Sequence, residues 1–380
     1  MRKFIFKMTL FLSPFLIALG LELFVLPIDF FTFRLHEAVV VRKFRNLLPG
    51  KFYPNMALTK EEEGDLGHHT QYALKRKALW ITDSYGYRKK DSGRLKYEVV
   101  IIGQSETFGA GLTQNEMLSE VLEDQLKIGV YPFAPAGVNT FLKEKRFILH
   151  PPDLVIVSSV ERAILDLPPP KIRQEGKEGL FAKARNTGRK IKDYRWIQSF
   201  GVFLDRLNKM TMVRYFRASL KRRFSDQDKV RNGVDSKFGT ILFLEGAKAN
   251  QDVPALKLKQ AIHTIKAYDD LFTSRGIRFI FLPIPNKETF FYESLGTPKP
   301  VFIKQLVTRL KQVGVETVDT QQAFEKAFQE DSILLYQRDD SHWNREGVRI
   351  AADLLIKRID ERRLTSLLRT GEREKSTRAF

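Results

Sequence analysis

From position 97 onward the chain alternates short apolar runs with stretches whose apolar residues recur at helical spacing. Val99 to Ile102 and Leu154 to Val157 read as buried strands, and Ile277 to Leu282 and Glu316 to Val318 continue the series. Between them, Met117, Leu118, Val121, Leu122 and Leu126 predict a helix over 115–127, and the amphipathic stretch 301–313 predicts another. This alternation predicts an α/β fold, a parallel sheet with helices on both faces. Ligands of such sheets bind outside the carboxyl ends of the strands. Ser105, the turn Gly137-Val138-Asn139, the pair Glu161-Arg162 and His342 would all emerge there.

The N-terminal pattern is different. After Met1-Arg2-Lys3, residues 4–26 are nearly all apolar, interrupted mainly by Lys7 and Glu22. About 20 such residues cross a bilayer as a helix. Ala18-Leu19-Gly20 also offers the small residues of a signal-peptide cleavage site, but the apolar run continues to Ile28, Phe30 and Phe31, which favours an anchor over 1–31. Residues 32–95 read as a membrane-proximal connector, with turns at Pro49-Gly50, Pro54-Asn55 and Asp83 to Arg88. The main domain is expected over 96–364, followed by a polar, frayed tail over 365–380. Within it, residues 168–235 break the rhythm with 18 Lys and Arg against seven acids, and read as a partly helical insertion or lid. That segment is either a solvated basic face or a dock for an anionic glycan or membrane surface.

Composition narrows the function. Hydrophobic residues at 43% and charged residues at 29% are those of a globular chain. The net charge of +19 points to an anionic surface as partner: membrane, acidic polysaccharide or nucleic acid. Zinc-finger spacing, an aromatic RNA-binding signature and a DNA-reading helix pair are all missing, so nucleic acid is not the expected partner. The absence of cysteine excludes disulfides, thiolate metal sites and a cysteine nucleophile. His68-His69 lacks a third ligand at a recognised spacing, so neither a metal nor another cofactor is expected.

Two segments more than 200 residues apart carry the candidate chemistry. Gly103-Gln104-Ser105-Glu106-Thr107-Phe108-Gly109 follows the first core strand, and its glycines suit a tight turn exposing a serine hydroxyl. Asp339-Asp340-Ser341-His342-Trp343-Asn344 supplies an imidazole and two carboxylates on a loop. A serine needs an adjacent base, and the base a group that orients it; His342 with Asp340 or Asp339 would provide both. The blander reading of Ser105 is a cap of the following helix.

These residues resemble the SGNH (GDSL-type) esterase and acyltransferase superfamily. Pro152 to Val157, Val160-Glu161-Arg162, Leu282 to Glu288 and Asp340 to Asn344 further resemble the bacterial alginate O-acetyltransferase branch, whose members are membrane-tethered and acetylate cell-surface polysaccharides. The likeness covers roughly residues 80 to 360. It implies a three-layer, flavodoxin-like SGNH domain with a periplasmic site, an acyl-Ser105 intermediate, His342 as base and Asp340 or Asp339 as its orienting carboxylate. It also implies an oxyanion site from the Ser105 and Gly137 N–H groups, helped by Asn139 or Arg162. The chain departs from the superfamily at Gln104, where Asp is usual, and lacks the third-block Asn near Ser158 to Glu161. It departs from the alginate branch in placing its serine before the Asp-His pair. Glu161-Arg162 is either a local ion pair or a guanidinium placed in the site. Lys287 is either a turn lysine or a substrate contact. Three functions are compatible: an O-acyltransferase moving acetyl to a polysaccharide from a donor supplied by a membrane acyltransferase, a hydrolytic esterase, and a catalytically silent scaffold.

Overall fold

The computed structural model describes residues 1–68, 70–171, 194–223 and 232–377. The chain divides into two compact units, Met1–Ser92 with Arg173–Arg231, and Gly93–Ile172 with Asn232–Phe380.

In the first unit, Arg2–Val25 is a 24-residue helix of mean hydropathy 2.0, long and apolar enough to cross a membrane, a test that a signal sequence also passes. The region expected as a connector carries its own small core. Strand β1, Ala57–Glu62, pairs antiparallel with β2, Arg76–Ile81. Trp80 on β2 is fully buried, packed edge-on against Phe52 and covered by the Arg88 guanidinium 3.8 Å from its ring. The Asp83 carboxylate accepts from the N–H groups of Tyr85 and Tyr87, forming the turn that the sequence suggested. Two helices of the basic segment, Arg195–Lys209 and Thr211–Arg223, belong to this unit. Asp205 explains the attachment. Its buried carboxylate accepts from the backbone N–H groups of Arg42, Lys43 and Phe44 and from the Tyr53 hydroxyl, with the Lys209 ammonium 3.7 Å away. Burial pushes Lys209 down to about 7 despite that carboxylate. These two helices of the segment expected as an insertion or lid pack on residues 1–92. Residues 172–193 and 224–231 of that segment lie outside the described residues, as does His69.

The second unit is the α/β domain. Strands β3 (Val99–Ile102), β4 (Val130–Phe133) and β5 (Leu154–Val160) precede a short antiparallel hairpin, β6 (Gly233–Ser236) with β7 (Gly239–Leu242), and the last sheet strand β8 (Arg278–Ile284). The sheet is parallel throughout, in the order β4-β3-β5-β8. Every residue of β3, β4 and β5 is buried, so neither face is open to water, and that is why these strands lack polar alternation. Ile101, Ile156 and Ile280 stand in register across three strands at the centre of the core. Each fully buried side chain of this kind contributes about 1.5–3 kcal/mol. Leu118 and Leu122 of helix Leu118–Leu126 join the same core as Ala351, Ala352 and Leu355 of helix Arg345–Thr377. The predicted strand at 316–318 reduces to a single parallel bridge between Phe281 and Thr317. The backbone expected to fray from 365 stays helical to Thr377, consistent with its Pro-free run of Leu, Arg, Glu and Lys.

Replacing Asp205 by Ala strands the buried N–H groups of residues 42–44 and leaves the Lys209 ammonium without its carboxylate. We expect a loss of about 3–5 kcal/mol, read by denaturant titration of wild type against Asp205→Ala; a change within error would show that these bonds do not hold the first unit together.

Candidate active site

Four parallel strands deliver four loops to one edge. β3 leads into Gly103 to Leu112, β4 into Gly137, β5 into Glu161-Arg162, and β8 into Asn286-Lys287. The chain steps from β3 to β4 on one side and then back to β5 on the other. The β3/β5 boundary is thus a switch point, where a crevice opens outside the strand ends. Gly103 lies at that boundary: a Cβ there would collide with Thr107 and with Ser158 at the end of β5. The Gly103 carbonyl also accepts from Ala136 N–H at 2.9 Å, which draws the β4 loop to the serine loop.

Ser105 is half-buried on this turn, and its Oγ donates to Glu106 Oε2 at 3.0 Å. Glu106 is buried in turn and paired with the Arg162 guanidinium at 3.5 Å. The hydroxyl therefore rests on its neighbour's carboxylate.

The second loop is held at both ends. A bridge joins Tyr336 to Trp343, Gln337 N–H donates to the His342 carbonyl, and the Asn344 side chain caps the long C-terminal helix by accepting from Glu346 and Gly347 N–H. Within it, Asp340 Oδ1 accepts from the backbone N–H of His342 at 3.0 Å and bonds its Nδ1 at 2.5 Å. One carboxylate thus fixes both the turn and the ring. Of the two candidates, Asp340 makes this bond; Asp339 is fully buried in the same loop. The two loops meet at Gly111 (φ +73°), whose carbonyl accepts from Gln337 Nε2 at 2.6 Å. A Cβ on Gly111 would lie 3.3 Å from Asp340 Oδ2. Ser105 and His342 belong to neighbouring loops, and the serine's hydrogen bond is with Glu106.

The remaining sequence candidates separate into groups. Gly137 opens a short helix with open space around its Cα, and its carbonyl is taken by Thr140 and Phe141. Among the described residues, neither its N–H nor that of Ser105 donates to a protein acceptor. Both are backbone donors at the carboxyl edge of the sheet. Asn139 is not available. Its Nδ2 donates to Pro169 O at 3.0 Å and its Oδ1 accepts from Lys171 N–H, so it fastens the chain leaving the domain. Arg162 makes its ion pair with Glu106 and donates to Asn286 Oδ1 at 3.3 Å, which puts the guanidinium beside the serine. Lys287, read from the sequence as either a turn lysine or a substrate contact, is a buried tie. Its Nζ donates to the carbonyls of Leu242, Gln337 and Arg338, because an ammonium without a water shell must find carbonyl acceptors. It braces the loop that carries His342.

Glu106 and Asn286 were present in the sequence motifs without a role, and Gln337 lay outside them. A carboxylate directly after a nucleophile is the one signal that pointed to the first. The other two act through contacts that spacing does not reveal.

Glu161 is fully buried and accepts from Asn286 N–H at 2.9 Å and the Thr289 hydroxyl at 2.8 Å. Burial pushes it up to about 7, those two donors opposing. Between pH about 4.5 and 7 the folded chain keeps a proton on Glu161 that the unfolded chain has released. Stability therefore falls as pH rises through that window. Relative to Glu161→Gln, wild type should lose on the order of 3 kcal/mol from pH 5 to 8, read by paired melts of the two proteins; parallel pH responses would show that Glu161 does not carry the proton.

Residues 242–379 match the family model of the SGNH hydrolase-like domain of the acetyltransferase AlgX. That match contains Lys287, Asp340 and His342, while Ser105 and Gly137 precede it. Comparison with curated proteins returned no match. Among solved structures, a protein assigned to the lipolytic G-D-S-L family from Desulfitobacterium hafniense aligns over 68% of this chain and 98% of its own, with 13% identity and a TM-score of 0.34. At that TM-score the alignment carries no structural argument. Over residues 242–379 the chain is thus similar to the SGNH hydrolase-like domain of AlgX, and the Asp-x-His loop after β8 lies within the matched stretch.

Proposed function

We propose that the chain is a membrane-anchored, serine-dependent O-acyltransferase that acetylates an extracytoplasmic polysaccharide. The observation that carries this reading is the His342–Asp340 pair, held on a braced loop that abuts the serine loop at Gly111. With Nδ1 bonded to Asp340, Nε2 is the nitrogen that takes a proton from Ser105. For this the Ser105 hydroxyl must leave Glu106 and turn to that nitrogen. Oγ then attacks the acyl carbonyl while its proton passes to His342, and the carbonyl electrons collect on an oxyanion facing the Ser105 and Gly137 N–H groups. Collapse expels the donor alkoxide, which takes the proton from His342 and leaves an acyl-Ser105 ester. A sugar hydroxyl gives its proton to His342, attacks the ester and restores the serine. With water as acceptor the same steps amount to hydrolysis. The AlgX-type domain favours transfer, and the net charge of +19 suits an anionic acceptor. The acyl donor would come from a membrane acyltransferase, since no donor-binding motif is present in the sequence.

The test is turnover of p-nitrophenyl acetate by the full chain in detergent, with and without an anionic oligosaccharide. Ser105→Ala and His342→Ala should each lose on the order of 10³-fold or more in kcat, and acetyl should appear on the sugar. Acetate released only to water would establish the esterase instead. Equal activity in all three proteins would end the Ser-His mechanism in favour of a silent scaffold.

Asp340→Asn keeps the loop's shape but removes the charge behind the imidazole. A loss on the order of 10⁴-fold in kcat is expected, and a comparable loss from Asp339→Asn with Asp340→Asn active would reassign the orienting role.

A further inference from the structure

Glu22 is a carboxylate inside an apolar run, an expensive residue for a membrane-spanning helix. The first unit shows what it does. Its side chain accepts from the Thr211 hydroxyl and from Met212 N–H, at the start of helix Thr211–Arg223, where the helix dipole favours an anion. Its backbone carbonyl accepts from Arg206 at 2.6 Å, on helix Arg195–Lys209. The exit of Arg2–Val25 is thereby tied to both helices.

Those helices are two-faced. On Arg195–Lys209, Ile197, Gly201, Asp205 and Lys209 are buried, whereas Trp196, Phe200, Phe203 and Leu207 form a stripe on the opposite side, with Trp196 69% exposed. On Thr211–Arg223 the outward stripe is Val213, Phe216 and Leu220. These stripes continue the apolar surface of the N-terminal helix. Phe24 lies 5.9 Å from Phe203, and Phe31 lies 6.1 Å from Phe216. Arg214 and Arg217 are exposed on the second helix. An apolar surface of this extent is not left in water without a partner. An aromatic stripe flanked by arginines, continuous with a bilayer-length helix, has the chemistry of an interfacial segment.

We propose that helices Arg195–Lys209 and Thr211–Arg223 lie in the headgroup region of an anionic bilayer at the exit of the N-terminal span. The two helices sink their aromatic stripe into the acyl boundary and set Arg214 and Arg217 against lipid phosphates. This proposal rests on reading Arg2–Val25 as a span, and is independent of the acyl chemistry. A glycan dock is disfavoured because the exposed stripe is aliphatic as well as aromatic and merges with the N-terminal helix.

Trp196 reports on it directly, since Trp80 and Trp343 are fully buried. The full chain is placed in phosphatidylcholine vesicles with or without phosphatidylglycerol, and its emission is quenched by lipids brominated at shallow or deep acyl positions, with Trp196→Phe subtracted. Expected are a blue-shifted Trp196 signal, stronger loss to shallow than to deep bromines as befits a depth of about 5–10 Å, and greater loss with the anionic lipid. A double change, Phe216→Asp with Leu220→Asp, should weaken the quenching several-fold while alkaline carbonate still leaves the chain in the membrane pellet. Water-like, unquenched Trp196 in a retained chain overturns this proposal alone. Release of wild type by carbonate overturns the span and the proposal together. Equal quenching with and without anionic lipid overturns the arginine contribution.

Discussion

Parallel pairing of β3, β5 and β8 is the constraint on which the second unit depends. Parallel strands end on the same edge, so whatever chemistry their loops carry is brought together regardless of sequence separation. Both sheet faces are apolar and buried, so the strands are held inside the core. The serine turn, Arg162 and Asn286 are neighbours for this reason and no other.

Buried polar groups then refine the edge. Glu161 ties the end of β5 to the turn after β8, Lys287 ties that turn to the carbonyls of 337 and 338, and Gln337 ties the histidine loop to Gly111. Glu161 and Lys287 are costly to bury unless bonded, and each is bonded to a neighbouring loop. The result is a brace around the loop that carries His342. The Ser105–Glu106–Arg162 chain is of another kind. It holds the Ser105 hydroxyl on a carboxylate that is itself compensated by a cation.

The first unit obeys the same rule with different parts. Asp205 and Glu22 are acids in apolar surroundings, and both are explained by backbone N–H groups that would otherwise lack acceptors. One fastens helix Arg195–Lys209 to the small core around Trp80, the other fixes the start of the next helix to the end of the N-terminal helix.

The sequence by itself determined the α/β class, the strands at 99–102, 154–157 and 277–282, and the presence of a serine turn and an Asp-His loop. These features are local: apolar tetrads, helical spacing, glycines at a turn, a carboxylate two residues before an imidazole. Only the tertiary structure decided that Asp340 bonds His342, that Lys287 and Asn139 tie neighbouring segments, that Glu106 holds the serine, and that the basic helices belong with the N-terminal residues. Each of those outcomes is a contact between residues distant in sequence, and a side chain's partner across such a distance is set by packing, which no periodicity along the chain encodes.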